Sequence, residues 1–337
     1  MVSLSAVQSS NSLIPSTLPR GLVAVFVGGT SGIGESTLKK FAKLSITPRI
    51  YIIGRSQEAG ERIEAECRLL NPEGVYIFIQ ADVSLIRVVD ELCEEIKAKE
   101  THLNILFLSA GLPILDRRET PEHLHLLASL NYYSRLRFIT NLLPLLQRAS
   151  ALRRVVTVAG GGLEGPLDPS DFPALHVPLR AIRGHLTTLI TLGLEAVATK
   201  APEVSFVHDY PGTVKTPLMS RTEGFLGVFL RALVYLLGRW MCVPLEESGD
   251  RHLYLATSAR YPPRKGESSR DFAVPLGSGV EVARGTTGEA ASGVYSVGWD
   301  CEGPSPAAEK LLAGLREAGM VDEIWRHTEK EFKRITE

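Results

Sequence analysis

The sequence predicts an α/β protein in which helices cover both faces of one doubly wound parallel sheet. Apolar runs of strand length alternate with segments of helical periodicity as far as residue 215. One of these runs, Leu103–Ser109, is almost entirely apolar, as expected for a strand buried on both faces. Hydrophobic residues make up 44% of the 337 and charged residues 22%, which is enough apolar side chain for a real core.

Each element follows from its local pattern. The segment Gln57–Leu70, for example, places Ala59, Ile63, Cys67 and Leu70 at spacings of three and four, which is typical of one helix face. The predicted strands are Val23–Val27, Arg49–Ile53, Val75–Gln80, Leu103–Ser109, Arg154–Val158, Val204–His208 and Val294–Val297. The predicted helices are Ile33–Leu44, Gln57–Leu70, Leu85–Lys97, Leu126–Leu146, Leu179–Ala198, Glu246–Ser258, Pro306–Glu317 and Val321–Ile335.

We find no linker that divides the chain into independent domains. Residues 1–20 form a polar extension ahead of the first strand, and residues 21–260 form the sheet domain. Within that domain, 217–245 is predicted to be an apolar lid. Residues 261–337 are predicted to be a C-terminal helical extension packed on the same domain.

Composition excludes several classes of function. A formal net charge of −1 gives no electrostatic footprint for nucleic acid or an anionic membrane. The four cysteines are far apart and form no CxxC pair, so we expect reduced thiols in a cytoplasmic protein. His123 and His125 form an H-x-H pair without matching ligands nearby, so no metal is expected and a surface location is favoured for both.

The segment 225–243 raises the question of a membrane. It is strongly apolar, but Arg231 and Arg239 interrupt it, and it is short for a span of about 20 apolar residues. A transmembrane span is therefore not expected. We interpret the segment as a buried or lid helix, with an interfacial helix or a dimer contact as the alternatives.

A glycine-rich loop, GGTSGIGES, joins the first strand to the first helix of the sheet domain. Its glycines stand at a G-x-x-x-G-x-G spacing, which lets the backbone approach a pyrophosphate at a helix N-terminus. The strand–loop–helix context favours this function over a purely structural loop. The candidate binding residues of the loop are Gly28, Thr30, Ser31, Gly32, Ile33 and Gly34.

With this spacing and strand order, residues 20–260 resemble the short-chain dehydrogenase/reductase family, which has a Rossmann-like fold. Four further places carry the resemblance. They are Asp82-Val83, similar to the family's adenine-contacting Asp; Leu108–Gly111, similar to its N-N-A-G turn but without the asparagines; Asn131, similar to its active-site Asn; and Pro211–Thr216, similar to its P-G-x-V-x-T stretch beside the nicotinamide. Each motif alone has a structural alternative, such as a helix cap, a turn or a buried amide.

The resemblance implies a dinucleotide cofactor and a set of residues that would contact it. Beyond the glycine loop these are Asp82, Val83, Ala110, Gly111, Pro211, Gly212, Val214 and Thr216. The stretch SGVYSVGWD and the two closing helices resemble fungal members of the family found in secondary-metabolite pathways. Family members are commonly dimers or tetramers, so a homodimer is also an expectation.

Arg55 indicates which dinucleotide to expect. It follows the second strand at the place where an acidic residue would accept hydrogen bonds from the adenosine ribose and mark NAD. A guanidinium suits a 2′-phosphate instead. NADP is therefore the predicted cofactor, and a solvated surface charge is the alternative interpretation of Arg55.

The catalytic residues that the resemblance implies are missing. The family uses a Ser after the fifth strand, a Tyr as general acid and a Lys four residues beyond that Tyr. Here Gly160 stands in the place of the Ser, Val177 or Pro178 in that of the Tyr, and Ala181 or Ile182 in that of the Lys. The one Tyr-x-x-x-Lys in the chain, at 261–265, lies in a proline-rich loop and is interpreted as coincidence.

Other side chains are candidates for moving the proton. His176 and His185 flank the altered stretch, and an imidazole exchanges protons near neutral pH. Tyr210 precedes the Pro-Gly turn and offers a phenol, while Asn131 keeps its family position. For each histidine a structural role is the alternative.

Three functions remain open on the sequence. The first is an NADP(H)-dependent oxidoreductase with a non-standard proton donor, acting on a small apolar carbonyl or alcohol of polyketide or terpenoid type in secondary metabolism. The second is a cyclase or isomerase on the same scaffold without redox chemistry, and the third is a binding protein without catalysis. The retained cofactor-binding motifs favour the first function. The third function does not explain why Asn131 is retained.

Overall fold

The computed structural model of the chain describes residues 1–112, 117–216, 242–265 and 273–337. The strands in these ranges are β1 (Val23–Val27), β2 (Arg49–Gly54), β3 (Val75–Gln80), β4 (Ile105–Leu108), β5 (Arg154–Val158), β6 (Ser205–Asp209) and β7 (Val294–Val297). They pair in parallel in the order β3-β2-β1-β4-β5-β6-β7. The strand order reverses between β1 and β4, so a crevice opens there at the carboxyl ends of the strands.

The helices that we predicted agree with the observed ones to within a few residues, with one exception, and two further helices in residues 1–20 were not predicted. The described helices are α1 (Leu4–Ser12), α2 (Ile14–Thr17), α3 (Gly32–Leu44), α4 (Gln57–Leu70), α5 (Ile86–Lys99), α6 (Leu126–Ala128), α7 (Ser134–Arg148), α8 (Leu179–Lys200), α9 (Leu245–Thr257), α10 (Pro306–Glu317) and α11 (Met320–Thr336). The prediction of one continuous helix over 126–146 is wrong. A π-helical turn, Ser129–Tyr133, separates α6 from α7.

Alternate residues of each central strand pack against opposite helix layers. In β1, Val23, Val25 and Val27 pack into the core that also contains residues of α5, α7, α8 and α11. Ala24 and Phe26 pack into the core with residues of α1, α3, α4 and α9. Fully burying a side chain such as Phe26 contributes about 1.5–3 kcal/mol, so both faces stabilise the sheet. The predicted fold class is confirmed.

Residues 1–20 are more structured than the polar extension that we expected. They form α1 and α2, and the side chains of Val2, Val7 and Ile14 are buried. The side-chain amide of Asn11 donates to the Asp250 carbonyl at 2.8 Å, which ties α1 to α9. The few apolar side chains of residues 1–20 are spaced so that one side of this segment packs into the core.

The helix α11 lies across α8 and contacts the π turn. The Tyr132 hydroxyl lies 2.6 Å from the Thr328 hydroxyl, and the Tyr133 hydroxyl lies 2.7 Å from Nε2 of His327. Both tyrosines are fully buried. The last helix of the chain therefore holds the turn that separates α6 from α7.

The predicted lid, 217–245, falls mostly outside the described residues, which resume at 242. No helix in the described ranges combines the length and hydropathy needed to cross a membrane.

Candidate active site

A cavity of about 530 Å³ opens at the crevice between β1 and β4. This volume lies within the range of small-molecule and cofactor sites. Of the predicted cofactor residues, those that line it are Gly28, Thr30, Ser31, Gly32, Ile33, Gly34, Arg55, Asp82, Val83, Ala110, Gly111, Pro211 and Thr216. Gly212 and Val214, in the same turn as Pro211, are not among its lining residues. The structure thus brings thirteen of these fifteen residues to one place.

Two glycines of the loop are required by close backbone contacts. Gly28 has φ of +87°, and a Cβ there would lie 2.5 Å from the backbone nitrogen of Ala110. A Cβ on Gly34 would lie 2.4 Å from the carbonyl oxygen of Gly28 and 2.5 Å from Oγ of Ser109. The loop therefore closes tightly over the ends of β1 and β4 only without side chains at these positions.

The N-terminus of α3 points free N–H groups into the cavity. Ser31 is its N-cap residue, but its side chain makes no capping hydrogen bond. The N–H groups of the first helical turn have no acceptor within the helix, and Gly32, Ile33 and Gly34 all line the cavity. Such a terminus favours an anionic group, so this end of the cavity fits a pyrophosphate.

Arg55 and Asp82 stand at the adenosine end of the cavity. Arg55 is exposed, and no hydrogen bond or ion pair joins its guanidinium to another side chain in the described part of the chain. Asp82 is also exposed, and its Oδ1 accepts the N–H of Ser84 at 3.0 Å. Asp82 therefore serves the local turn and still faces the cavity.

Gly160, the residue aligned with the family's Ser, packs closely against the neighbouring helix α8. A Cβ on Gly160 would lie 2.3 Å from the hydroxyl oxygen of Thr187, which is buried on α8. The Gly160 N–H donates to Nε2 of His208 at 3.2 Å. No hydroxyl can be added at residue 160 without moving α8 or the Thr187 side chain.

The residues aligned with the family's Tyr and Lys lie at the start of α8, where Pro178 is exposed and Val177 and Ile182 are buried. Val177 is buried, and its N–H donates to Oδ2 of Asp171 at 2.8 Å. Pro178 is the N-cap residue of α8, and Ile182 is buried in the same apolar cluster as Val177. These residues shape the start of α8 and supply no proton donor to the cavity.

The candidate proton donors occupy different environments. His185 is fully buried; its Nδ1 accepts the Asp168 N–H and its Nε2 donates to the Phe172 carbonyl, both at 3.2 Å. Burial lowers the pKa of His185, which therefore stays neutral. His176 is exposed. Neither histidine lines the cavity, and the structure therefore gives His185 the structural role.

Tyr210 lies half-buried at the end of β6, immediately before the cavity-lining Pro211. Its N–H donates to the Val297 carbonyl at 2.9 Å, which fixes its backbone against β7. The guanidinium carbon of Arg183 lies 4.7 Å from the centroid of its ring. This cation–π contact packs the ring against Arg183 of α8, and Tyr210 itself is not among the residues that line the cavity.

Asn131 lines the cavity from the π turn, and a residue that we did not predict lies behind it. Arg135 is buried and also lines the cavity, and its Nη2 donates to Oδ1 of Asn131 at 3.4 Å. The sequence contained a signal for it, because residues four apart share a helix face. Arg135, the first arginine of the run YYSRLRF, follows Asn131 by four residues and could therefore have been predicted to face it.

Two buried histidines on the sheet side have opposite pKa shifts. Burial, together with the charge of Arg135, lowers the pKa of His208 to about 3. Burial also disfavours the charged form of His252, but the Asp209 carboxylate, with Oδ2 3.0 Å from Nε2, more than offsets this and raises the pKa of His252. The pair forms an ion contact without good hydrogen-bond geometry, and Oδ1 of Asp209 has no partner among the described residues.

The expectation of a surface location is wrong for His125. Its side chain is fully buried, and Nδ1 accepts the N–H of Leu127 at 3.2 Å as a cap of α6. His123, two residues before it, has a backbone φ in the left-handed region, so the two histidines do not lie on one helix. Across the described ranges, no group of three His, Cys, Asp or Glu side chains is placed to hold a metal ion.

Comparisons with known proteins agree with this geometry. The family model described as short chain dehydrogenase matches residues 22–165. The chain is 39% identical to Oxidoreductase andH of Emericella variicolor, over all of this chain and 98% of that protein. It is 30% identical to Short-chain dehydrogenase/reductase SAT2 of Stachybotrys chartarum, over 92% of each. The chain therefore belongs to the short-chain dehydrogenase/reductase family.

A solved structure shows the same fold. L-sorbose reductase from Gluconobacter frateurii, complexed with NADPH and L-sorbose, aligns with a TM-score of 0.56 over 79% of this chain and 98% of that one, at 16% identity. The likeness at this level of identity concerns the fold.

Proposed function

We propose that the chain is an NADP(H)-dependent oxidoreductase of a small apolar carbonyl or alcohol substrate, of polyketide or terpenoid type, in secondary metabolism. The observation that carries the proposal is the continuous cavity that extends from the N-terminus of α3, past Arg55, to Asn131. A cofactor and a reacting group fit end to end in such a site.

Different residues of the chain would bind different parts of the cofactor. The N–H groups of the first turn of α3 would hold the pyrophosphate, and Arg55 would hold the 2′-phosphate. Asp82 would contact the adenine, while Pro211 and Thr216 would lie beside the nicotinamide. The L-sorbose reductase solved with NADPH supports this assignment through the shared fold.

When bound, NADPH supplies a hydride to the carbonyl carbon, and the carbonyl oxygen gains a proton to give the alcohol and NADP⁺. Asn131 would donate a hydrogen bond to that oxygen. Tyr210 is the proton donor that we propose, because it is the candidate that directly precedes a cavity-lining residue. His185 is unsuited to this role because both ring nitrogens are bonded to backbone groups.

An apolar substrate is supported by side chains at the same edge of the sheet. Leu163 is 41% exposed, Leu179 42% and Trp299 38%. They follow β5, begin α8 and follow β7, so they lie at the edge of the sheet formed by the carboxyl ends of β5 and β7, away from the adenosine end. The apolar sequence at 225–243 lies mostly outside the described residues.

The test is titration of the purified protein with NADPH and with NADH, followed by nicotinamide fluorescence. The expected result is tighter binding of NADPH, with Arg55→Ala weakening NADPH binding about 10- to 100-fold and leaving NADH unaffected. Arg20→Ala is the matched control, since Arg20 is an exposed arginine just before β1 at the opposite edge.

Equal losses for NADPH and NADH would overturn the NADP assignment. Absence of binding of both would overturn the oxidoreductase proposal and favour a redox-neutral cyclase or isomerase, or a binding protein. With binding shown, NADPH oxidation is measured against a panel of apolar ketones and a panel of sugars. Faster turnover of sugars would contradict the substrate class. A cytoplasmic location and a homodimer stay predictions.

A further inference from the structure

Arg135, the second residue of α7, is a buried cation in the wall of the cavity. Its side chain is 4% exposed, and each of its five N–H groups has an acceptor. The acceptors are Leu130 O at 3.2 Å, Thr157 Oγ1 at 2.5 Å, Val158 O at 2.8 Å, Ala110 O at 2.9 Å and Asn131 Oδ1 at 3.4 Å. A single side chain thus joins the end of β4, the end of β5 and the π turn.

The positive charge of Arg135 has no direct counter-ion. In the described part of the chain no carboxylate forms an ion pair with it, and the acidic group that acts on it is Asp209 of β6, which contacts His252. His208 of β6 is the other titratable group that feels this charge. Burial lowers the pKa of Arg135 to about 10, so it remains a cation at neutral pH. Such a charge favours negative charge that develops in the cavity.

The contact with Arg135 decides how Asn131 is oriented. A guanidinium has donors only, so the Asn131 amide must present its oxygen to Arg135. The Nδ2 group of Asn131 then faces away from Arg135, and no described residue accepts a hydrogen bond from it. Asn131 lines the cavity, so its two N–H donors are available to a bound group.

We propose that Arg135 is a positioning residue that orients the Asn131 amide as a donor and sets a fixed positive charge behind it. It would thereby supply electrostatic stabilisation that the lost Tyr and Lys do not. This inference rests on the proposed function, since the negative charge in question is the one that builds on a carbonyl oxygen during reduction. Arg135 lines the cavity, but all its N–H donors are already bonded, so we assign it a positioning role and no hydrogen bond to the substrate.

Arg154 provides a matched control. It lies at the opposite end of β5, is 1% exposed, and donates to the carbonyls of Leu255 at 2.5 Å and Ser258 at 3.1 Å. Burial also lowers its pKa to about 10. Arg154 therefore matches Arg135 in burial, charge and type of partner, but it does not line the cavity.

The first readout does not require turnover. The chain contains five asparagines, so labelling Asn with ¹⁵N gives five side-chain amide signals, and Asn131→Ala identifies one. Arg135→Lys is expected to move the Asn131 signal and leave that of Asn11 in place. Arg154→Lys is expected to leave the Asn131 signal unchanged. An unmoved Asn131 signal in Arg135→Lys would overturn the proposal.

The second readout is kinetic. Arg135→Lys is expected to lower kcat about 10-fold or more, with the Kd for NADPH changed less than about threefold, and Arg154→Lys to leave kcat unchanged. In the Asn131→Ala background the Arg135→Lys effect is expected to shrink, because the two residues act together. A buried lysine deprotonates more readily, so activity of Arg135→Lys should fall as pH rises, while the wild type keeps its activity.

The outcomes separate this inference from the proposed function. A moved Asn131 signal in a protein that neither binds nor oxidises NADPH would mean that the proposed function fails while the positioning stands. Equal losses of kcat in Arg135→Lys and Arg154→Lys would show that Arg135 only stabilises the fold. The same conclusion would follow if Arg135→Lys lowered kcat as much in the Asn131→Ala background as in the wild type.

Discussion

The two halves of the cavity differ in how their residues are held. At the binding half, around α3 and the ends of β1 to β3, backbone groups and exposed polar side chains face the space. At the reacting half, around β5 and α8, the residues aligned with the expected Ser, Tyr and Lys are Gly160, Val177 or Pro178, and Ala181 or Ile182. Gly160 packs against α8, and Val177 and Ile182 pack into the core. Under the proposed function, the binding half has the geometry that a dinucleotide needs, while the reacting half differs from the family pattern.

The largest effect is expected when a side chain is added to the glycine loop of the binding half, which should weaken cofactor binding. Gly34→Ala would set a Cβ 2.4 Å from the Gly28 carbonyl and push α3 away from the loop. We expect NADPH binding to weaken on the order of 1000-fold, or about 4 kcal/mol. Fluorescence titration measures it. Gly314→Ala, on α10 with nothing within 4 Å of the added Cβ, is the control and is expected to bind normally. Normal binding by Gly34→Ala would contradict the phosphate site.

The next effect concerns proton transfer at the reacting half. Tyr210→Phe removes the phenol and is expected to lower kcat about 100-fold, with the Kd for NADPH unchanged. Steady-state kinetics with an apolar ketone measures it. Tyr76→Phe is the control, since its hydroxyl donates to the Asn71 carbonyl at the far edge of the sheet. Wild-type kcat in Tyr210→Phe would exclude Tyr210 and direct the search to His176 or to water.

Restoring the missing Ser is expected to fail. Gly160→Ser would place its Cβ 2.3 Å from the Thr187 hydroxyl oxygen, and such overpacking costs about 1–3 kcal/mol. Urea unfolding measures this loss, and kcat is expected not to rise. The double variant Gly160→Ser, Thr187→Ala removes the clash and should recover part of the stability. A single variant as stable as the wild type would show that the reacting half has room for the Ser.

The effect that develops most gradually is a pH dependence of stability, and its change over one pH unit is the smallest of the expected effects. His208 has a pKa of about 3 in the folded chain, against about 6.5 when unfolded. Below about pH 6.5 the unfolded chain binds a proton that the folded chain does not. The free energy of unfolding should therefore fall by about 1.4 kcal/mol per pH unit from this residue as pH decreases towards 4. Its contribution is complete above pH 6.5.

His208→Gln is expected to reduce this slope by one proton, which urea unfolding at several pH values can measure. His252 acts in the opposite sense, because its raised pKa adds stability that is lost as pH rises, and it does not change the slope on the acid side. An unchanged slope in His208→Gln would mean that His208 accepts a proton in the folded chain.

The sequence was sufficient for the sheet and for the binding half. Strand and helix boundaries follow from periodicity, and Arg55 and Asp82 follow β2 and β3, where parallel strands bring their carboxyl ends together. The π turn was not predictable, because it depends on Tyr132 and Tyr133 packing against α11, nearly 200 residues away. The same holds for the buried His125 and His208, since periodicity does not show which tertiary partners satisfy a polar group.

The contact between α11 and the π turn has a consequence for synthesis. Tyr132 and Thr328 are separated by 196 positions, so the partner of the turn is translated long after the turn itself. Contacts of such long sequence separation form late, because the loop between them must close first. A nascent chain can therefore complete the glycine loop long before Asn131 reaches its final place. The π turn that carries Asn131 would therefore reach its final packing only after α11 has emerged from the ribosome.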